Sequence, residues 1–203
     1  MPYLKKISLI LFFMCFMAQP AYAAEFSAKD LKAMSIFVSN FTELGFYDLN
    51  AKEFLNPDYP NDMVRFGVWH NYVNNFKSRI KPCPTKNCTW GSVVLEGRYV
   101  QESLKRYFNY TLKRLPTVEQ SDPPYHYDGK YYHFEGADGE ATYYAKVTKA
   151  VTQDNGLIKM TGIVYNTEDE SDVLGSFTAL AKPHVWKDKK TWALIDLKTK
   201  RKE

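Results

Sequence analysis

The chain has 203 residues, of which 45% are hydrophobic, 25% charged and 16% aromatic, and its formal net charge is +4. This composition excludes a disordered tail, a collagen-like repeat and a polytopic membrane protein. It fits a globular protein with an aromatic-rich interior, and the charge excess is too small to point to a nucleic-acid partner.

Residues 1–23 read as a secretory leader. Lys5 and Lys6 head an apolar run from Ile7 to Met17, Gln19 and Pro20 break it, and Ala21-Tyr22-Ala23 puts small side chains where a signal peptidase reads. The run falls well short of the ~20 residues that span a bilayer as a helix. Cleavage is expected after Ala23, with no membrane insertion afterwards and a periplasmic or secreted location. Cys15 leaves with the leader, and Phe13 and Met14 before it do not fit a lipid-attachment site. Removing Lys5 and Lys6 halves the net charge, and the basic stretch Lys198 to Lys202 reads as a solvated, frayed end.

Residues 24–203 are expected to form a single α+β domain, helical over about 27–115 and sheet-forming over about 125–198. Ser27, with Asp30 three residues on, opens a first helix whose apolar side carries Leu31, Met34, Ile36, Phe37 and Phe41, and Gly45 stops it. Asn56-Pro57-Asp58 marks a turn. A second helix is predicted from about Met63 to Ile80. Phe66, Trp69, Tyr72, Val73, Phe76 and Ile80 share one side, and Asn71, Asn74, Asn75 and Ser78 the other. Ser92 to Leu95 suits a short strand. A third helix covers about Arg98 to Leu112 with Val100, Leu104, Tyr107, Phe108 and Thr111 inward.

Between these elements lie Cys83 and Cys88, the only cysteines left after cleavage. Export to an oxidising compartment makes them an expected disulfide closing the loop Pro84-Thr85-Lys86-Asn87. Four intervening residues do not match the two of thioredoxin-like redox motifs. A zinc site is not expected, because no second cysteine pair or nearby histidine completes the ligand set. The Asn-x-Thr triplets at Asn40, Asn87 and Asn109 carry meaning only in a eukaryotic secretory pathway, and the lysine-headed leader is of bacterial type.

Beyond Pro123-Pro124 the alternation becomes that of strands: Lys130 to Glu135, Ala141 to Thr152, Leu157 to Asn166, Asp172 to Trp186 and Thr191 to Lys198. Asn155-Gly156 signals a hairpin, and the short connections imply an antiparallel meander. Pro183 belongs at an edge or bulge. Tyr143, Ala145, Val147 and Val151 share one strand face, as do Ile158, Met160, Gly162 and Val164. The fold class is thus α+β, with N-terminal helices packed on a curved C-terminal antiparallel sheet.

Helices followed by a curled sheet resemble, in element order, the cystatin-like and NTF2-like architecture, which hosts many unrelated functions. Two stretches carry a closer resemblance. Ser39-Asn40-Phe41-Thr42-Glu43 with the segment Arg65 to Asn75, and Tyr127-Asp128-Gly129-Lys130-Tyr131-Tyr132 with Ala137-Asp138-Gly139-Glu140, resemble a group of exported bacterial proteins with no assigned activity. The resemblance implies a bacterial, exported origin and no catalytic residues.

No nucleophile elbow, zinc-protease helix, phosphate-binding loop, dinucleotide fingerprint or EF-hand loop occurs, so no catalytic residue, metal or cofactor is expected. Tyr125 to Tyr144 holds six tyrosines together with His126, His133, Asp128 and Glu135. A tyrosine offers a flat ring and a polar tip, which suits sugar faces and peptide surfaces. Tyr125, His126, Tyr127, Tyr131, His133, Glu135 and His70 are therefore the candidate ligand contacts, although tyrosines also pack across strands for purely structural reasons. A metal set of His126, Asp128, His133 and Glu135 is possible in composition but matches no ligand spacing. The expected function is a non-enzymatic binding or interaction module for a protein, peptide or carbohydrate. One alternative is a small enzyme with a pocket between helix and sheet, using His70 or His133 with Glu135 as an acid–base pair. Another is an inhibitor of an extracytoplasmic enzyme that inserts the Cys83–Cys88 loop.

Overall fold

The computed structural model describes residues 26–74, 78–119, 124–136 and 143–202. The expected leader, Asn75 and Phe76 of the second helix, Pro123, and Ala137 to Glu140 lie outside the described residues. Among the described residues no helix is long and apolar enough to cross a membrane.

The first helix, α1 (Ala28–Thr42), begins where its capping box lies. The Asp30 N–H donates to Ser27 Oγ at 3.2 Å, and the Ser27 N–H donates to Asp30 Oδ2 at 3.0 Å. Two backbone donors that the first turn leaves over are thereby satisfied. Met34, Phe37, Val38 and Phe41 are buried, but Ile36, expected on the apolar side, is 58% exposed. A second stripe on α1 does something the apolar pattern does not show. Ser35 Oγ accepts from the Val147 N–H at 2.9 Å, Ser39 Oγ accepts from the Ala145 N–H at 3.0 Å, and the Thr42 hydroxyl donates to the Tyr143 carbonyl at 3.1 Å.

Those backbone groups belong to β6 (Tyr143–Thr152), the outer strand of an antiparallel sheet. The sheet runs β1-β9-β8-β7-β6, with β1 (Leu49–Asn50), β7 (Ile158–Asn166), β8 (Val173–Trp186) and β9 (Lys189–Arg201). An open strand edge would otherwise present unpaired N–H and C=O groups, and the α1 hydroxyls cover part of it. The β6–β7 connection turns at Gly156, whose φ is +77°; Asn155 does not share the positive φ. Ile158, Met160, Gly162 and Val164 all face the core as expected. In β6 the expected face does not hold: the register slips between Val147 and Lys149, and Val151 turns outward. One extra residue reverses the parity of every side chain after it. Pro183 pairs with Trp192 of β9, beyond the last β7 partner of β8 at Ala181, so its missing N–H breaks no inner ladder. The strand β9 continues to Arg201, so the basic stretch from Lys198 is sheet for most of its length rather than a frayed end.

Of the helices α2 (Ala51–Phe54), α3 (Asn61–Val73) and α4 (Gly97–Phe108), α2 and α4 lie against β9 and α3 packs on α4, while α1 lies against β6. Phe66 of α3 is fully buried where all four helices meet. Its ring centroid lies 5.3 Å from Phe41, 6.2 Å from Phe54, 5.6 Å from Tyr107 and 5.2 Å from Phe108. Three of these pairs are edge-to-face, the arrangement in which ring quadrupoles attract. The helix α3 is shorter than expected: it ends at Val73, and Ile80 starts a strand instead. Asn71, expected on the solvent side, is fully buried because α4 packs across that side. Its Nδ2 donates to the Gly67 carbonyl and to Ser103 Oγ, and its Oδ1 accepts from Arg79.

A second antiparallel sheet has the order β2-β3-β5-β4, with β2 (Ile80–Pro82), β3 (Val93–Glu96), β4 (His126–Tyr127) and β5 (Tyr131–Phe134). Lys130 to Glu135 was expected to begin the meander; it pairs instead with β3, far back in the chain, through Leu95↔Tyr132 and Val94↔His133. The fold is α+β with antiparallel sheets, as the sequence predicts, but the strands divide between two sheets rather than one.

Truncating Phe66 to alanine removes the ring on which the four helices converge. It should cost about 3–5 kcal/mol, the range for a buried Phe→Ala change. Urea denaturation of Phe66→Ala measures this; a loss under about 1 kcal/mol would show that the helices do not rely on that ring.

Candidate functional site

Alternation along β5 sets the site. Tyr132 and Phe134 point inward, where Phe134 packs against Trp69 and Tyr72 of α3 at ring distances of 6.1 and 5.8 Å. His133 points to the opposite face, together with its cross-strand neighbours Val94 and His126. An outward histidine would ordinarily be exposed, yet His133 is only 2% exposed because the loop after β2 folds over it. The Cys83 N–H donates to the Ser92 carbonyl at 2.9 Å, which continues the β2–β3 ladder and closes the loop from Pro84 to Gly91. Gly91 lets this loop lie flat: its φ is +131°, and a Cβ there would sit 2.2 Å from the Phe134 carbonyl. Glu135 pins the same place by accepting from the Ser92 N–H at 3.0 Å and the Ser92 hydroxyl at 2.9 Å.

The loop brings both cysteines to one imidazole. His133 Nδ1 lies 3.5 Å from Cys83 Sγ and 3.3 Å from Cys88 Sγ. The expected disulfide is not formed in this structure; both residues are half-buried free thiols turned toward the histidine. On the other side of the ring, His133 Nε2 lies 3.0 Å from Asp128 Oδ2. Partial burial alone would raise the Asp128 pKa. Hydrogen bonds from His133 and from the Tyr131 and Lys130 N–H groups outweigh it and bring the carboxyl down to about 2. An ionised carboxylate only accepts, so Nε2 carries the proton and the Nδ1 lone pair faces the sulfurs. Burial raises the Cys83 pKa, but hydrogen bonds from Cys88 and the Thr85 N–H, and the positive His133 ring that forms when Nδ1 takes the thiol proton, lower it further than burial lifts it. Burial and the neighbouring Cys83 both push Cys88 up. The pair therefore holds one thiol that ionises readily and one that resists.

Beside this cluster is an open cleft of about 390 Å³ lined by Thr89, Trp90, Thr117, Glu119, His126 and Glu135 among others. Trp90 stacks on His126 at 3.8 Å with an interplanar angle of 14°, and it remains 50% exposed.

Of the sequence candidates, His126, His133 and Glu135 meet here. Tyr125 does not: it is 1% exposed, packs inward, and accepts a hydrogen bond from Trp69 Nε1. Tyr127 donates to the Gly129 carbonyl at 2.9 Å and packs on Tyr132, while Tyr131 lies beneath Lys130 at the rim of the small sheet. His133 pairs with Asp128, not with Glu135 as in the enzyme alternative. Trp90 and the joining of the cysteines to His133 were not anticipated from the sequence, and Asp128 figured there only in a metal set possible in composition. Trp90, two residues after Cys88, was the available signal; the cysteine–histidine contact had none, because β-sheet register creates it.

His70 lies elsewhere. It is buried between α3 and α4, with Nδ1 2.9 Å from Ser103 Oγ and Nε2 3.1 Å from the Tyr107 hydroxyl. Ser103 spends its proton on the Tyr99 carbonyl, so His70 Nδ1–H donates to Ser103 and Tyr107 donates to Nε2. This neutral ring borders a second cleft of about 360 Å³ with Arg79, Glu102, Arg106 and Lys187. Glu102 accepts from both Arg79, at 3.5 Å, and Lys187, at 3.3 Å. His184, at a strand position, lies 3.1 Å from the Lys105 carbonyl near the end of α4.

Burial first, and then the nearby Arg106 and Arg79 charges, lower the His70 pKa from 6.5 to about 3. Above about pH 6.5 the ring is neutral in both folded and unfolded chains, and its full contribution is present. As pH falls from there toward about 3, only the unfolded chain takes the proton. Stability should therefore drop, with a slope approaching roughly 1.4 kcal/mol per pH unit. Urea titrations of wild type and His70→Gln at pH 7, 5 and 4 test this; parallel pH profiles for the two would refute it.

No known family model matches the chain, and neither a curated protein nor a solved structure matches it.

Proposed function

We propose that the protein is an exported, non-enzymatic binding module and that the Trp90–His126 cleft takes a carbohydrate. Export rests on the leader pattern at the N-terminus. The observation that carries the binding reading is the stacked, half-exposed Trp90 at the edge of a cleft with carboxylates at Glu119 and Glu135. A sugar ring presents one face of C–H groups, which lies on an indole, and a rim of hydroxyls, which donate to carboxylates. His126 holds the indole from behind, so the platform exists before a ligand arrives and little side-chain entropy is lost on binding. Calorimetric titration with neutral oligosaccharides is expected to find a binder that Trp90→Ala weakens at least about tenfold, a loss of about 1.4 kcal/mol. Unchanged affinity in Trp90→Ala, or saturable binding of peptides but not of sugars, would overturn the carbohydrate assignment.

One observation favours a second reading. Asp128, His133 and the readily ionised Cys83 stand in the order of a nucleophile with its oriented base, which is the arrangement a small thiol enzyme needs. That reading requires Cys83 to react with iodoacetamide at neutral pH faster than an ordinary free cysteine, and Asp128→Asn to slow the reaction. An ordinary rate in both proteins would remove it.

A further inference from the structure

The donor atoms of Cys83, Cys88 and His133 all lie within 4.8 Å of one another. The Nδ1–Sγ distances are 3.5 and 3.3 Å. A tetrahedral zinc, with bonds of about 2.3 Å to sulfur and about 2.0 Å to imidazole nitrogen, holds such donors about 3.5 Å apart. The sulfurs therefore already stand from the imidazole at the spacing a shared ion sets.

The hydrogen-bond inventory points the same way. The Nδ1 lone pair can accept one S–H, but two sulfurs face it at similar distances. A cation bound by both thiolates and the lone pair uses all three donors at once. The groups behind the imidazole are placed as a metal-bound histidine requires: Asp128 accepts from Nε2, fixing both the tautomer and the ring plane, and is itself held by the Tyr131 N–H at 2.7 Å and the Lys130 N–H at 2.8 Å. Two thiolates with an imidazole suit a soft or borderline ion, and they disfavour magnesium and calcium, which take oxygen donors.

We propose that Cys83, Cys88 and His133 form a zinc site whose fourth position is open to water or an outside ligand. The half-buried sulfurs leave one side of the cluster accessible. The ion would clamp the Pro84–Gly91 loop to β5, and with it Trp90, whose ring lies 5.7 Å from that of His133. The site stands independently of what the neighbouring cleft binds, because its donors are not the cleft's contacts.

The test uses the mature chain purified with its thiols reduced and kept under argon. Dialysis against Zn2+ with elemental analysis should retain one zinc per chain. Replacement by Co2+ should give a thiolate-to-cobalt charge-transfer band and the intense visible bands of a tetrahedral ion. Bound zinc should slow alkylation of both cysteines in the wild-type protein, a readout that needs no variant. Cys83→Ser and His133→Gln should each lose the cobalt bands. Asp128→Asn, acting only through His133, should weaken zinc about 10–100-fold, whereas Glu170→Gln, in an exposed pair with Lys146 beside the large sheet, should leave it unchanged. Zinc content at background in the reduced chain would overturn the proposal. So would a cobalt spectrum without thiolate charge transfer, or full zinc binding in His133→Gln. A disulfide that, once reduced, yields a chain with no zinc would overturn it equally.

Discussion

Burial of Phe66 among the rings of Phe41, Phe54, Tyr107 and Phe108 is the contact on which the rest is hung. It fixes how α3 lies against α4, and that packing sets the small sheet. The strand β3 runs into α4 without a connecting residue, and β2 follows α3 after a short interval. The inner face of the small sheet then closes on α3 through Trp69, Tyr72, Tyr125 and Phe134. The position of β5, and so of His133, follows from packing among rings that are distant from it in sequence.

The polar groups inside this aromatic interior are consistently paired. Among the described residues, no buried side-chain nitrogen or oxygen lacks a hydrogen-bond partner. His70, Asn71 and Ser103 form a connected network between α3 and α4, and a network of that kind holds two helices in one register because a slip would strand several groups at once. The α1 hydroxyls act similarly at the sheet edge. In both places polar residues on helix faces that appear solvent-directed are used against a neighbouring backbone or side chain.

The site has a different origin from the core. It forms on the outer face of the small sheet, and what shields it is a loop rather than a second layer of structure. Shielding of that kind leaves an imidazole dry while keeping sulfur atoms within reach of solvent, and reactive or ligating thiols need that combination. The Asp128 turn, in which one carboxylate accepts from two backbone N–H groups and the histidine, makes the arrangement rigid at the point where the lone pair must be aimed.

The sequence by itself determined the local elements: the Ser27–Asp30 cap, the inward faces of α4 and β7, the turn at Gly156 and the α+β class. Each depends on neighbours within a few positions, through capping, periodicity or a φ requirement. It also singled out His126, His133, Glu135 and the two cysteines, because their residue types are unusual where they fall. Only the tertiary structure decided what they do together. The division into two sheets depends on Tyr131–Phe134 pairing with Val93–Glu96, and strand pairing across such a separation leaves no mark on local spacing. The same pairing carries His133 to Cys83 and Cys88, buries Tyr125 and Tyr132, and replaces Glu135 by Asp128 as the partner of the histidine. Period-two alternation says that residues share a face; it does not say which loop will cover that face, and here the covering loop makes the site.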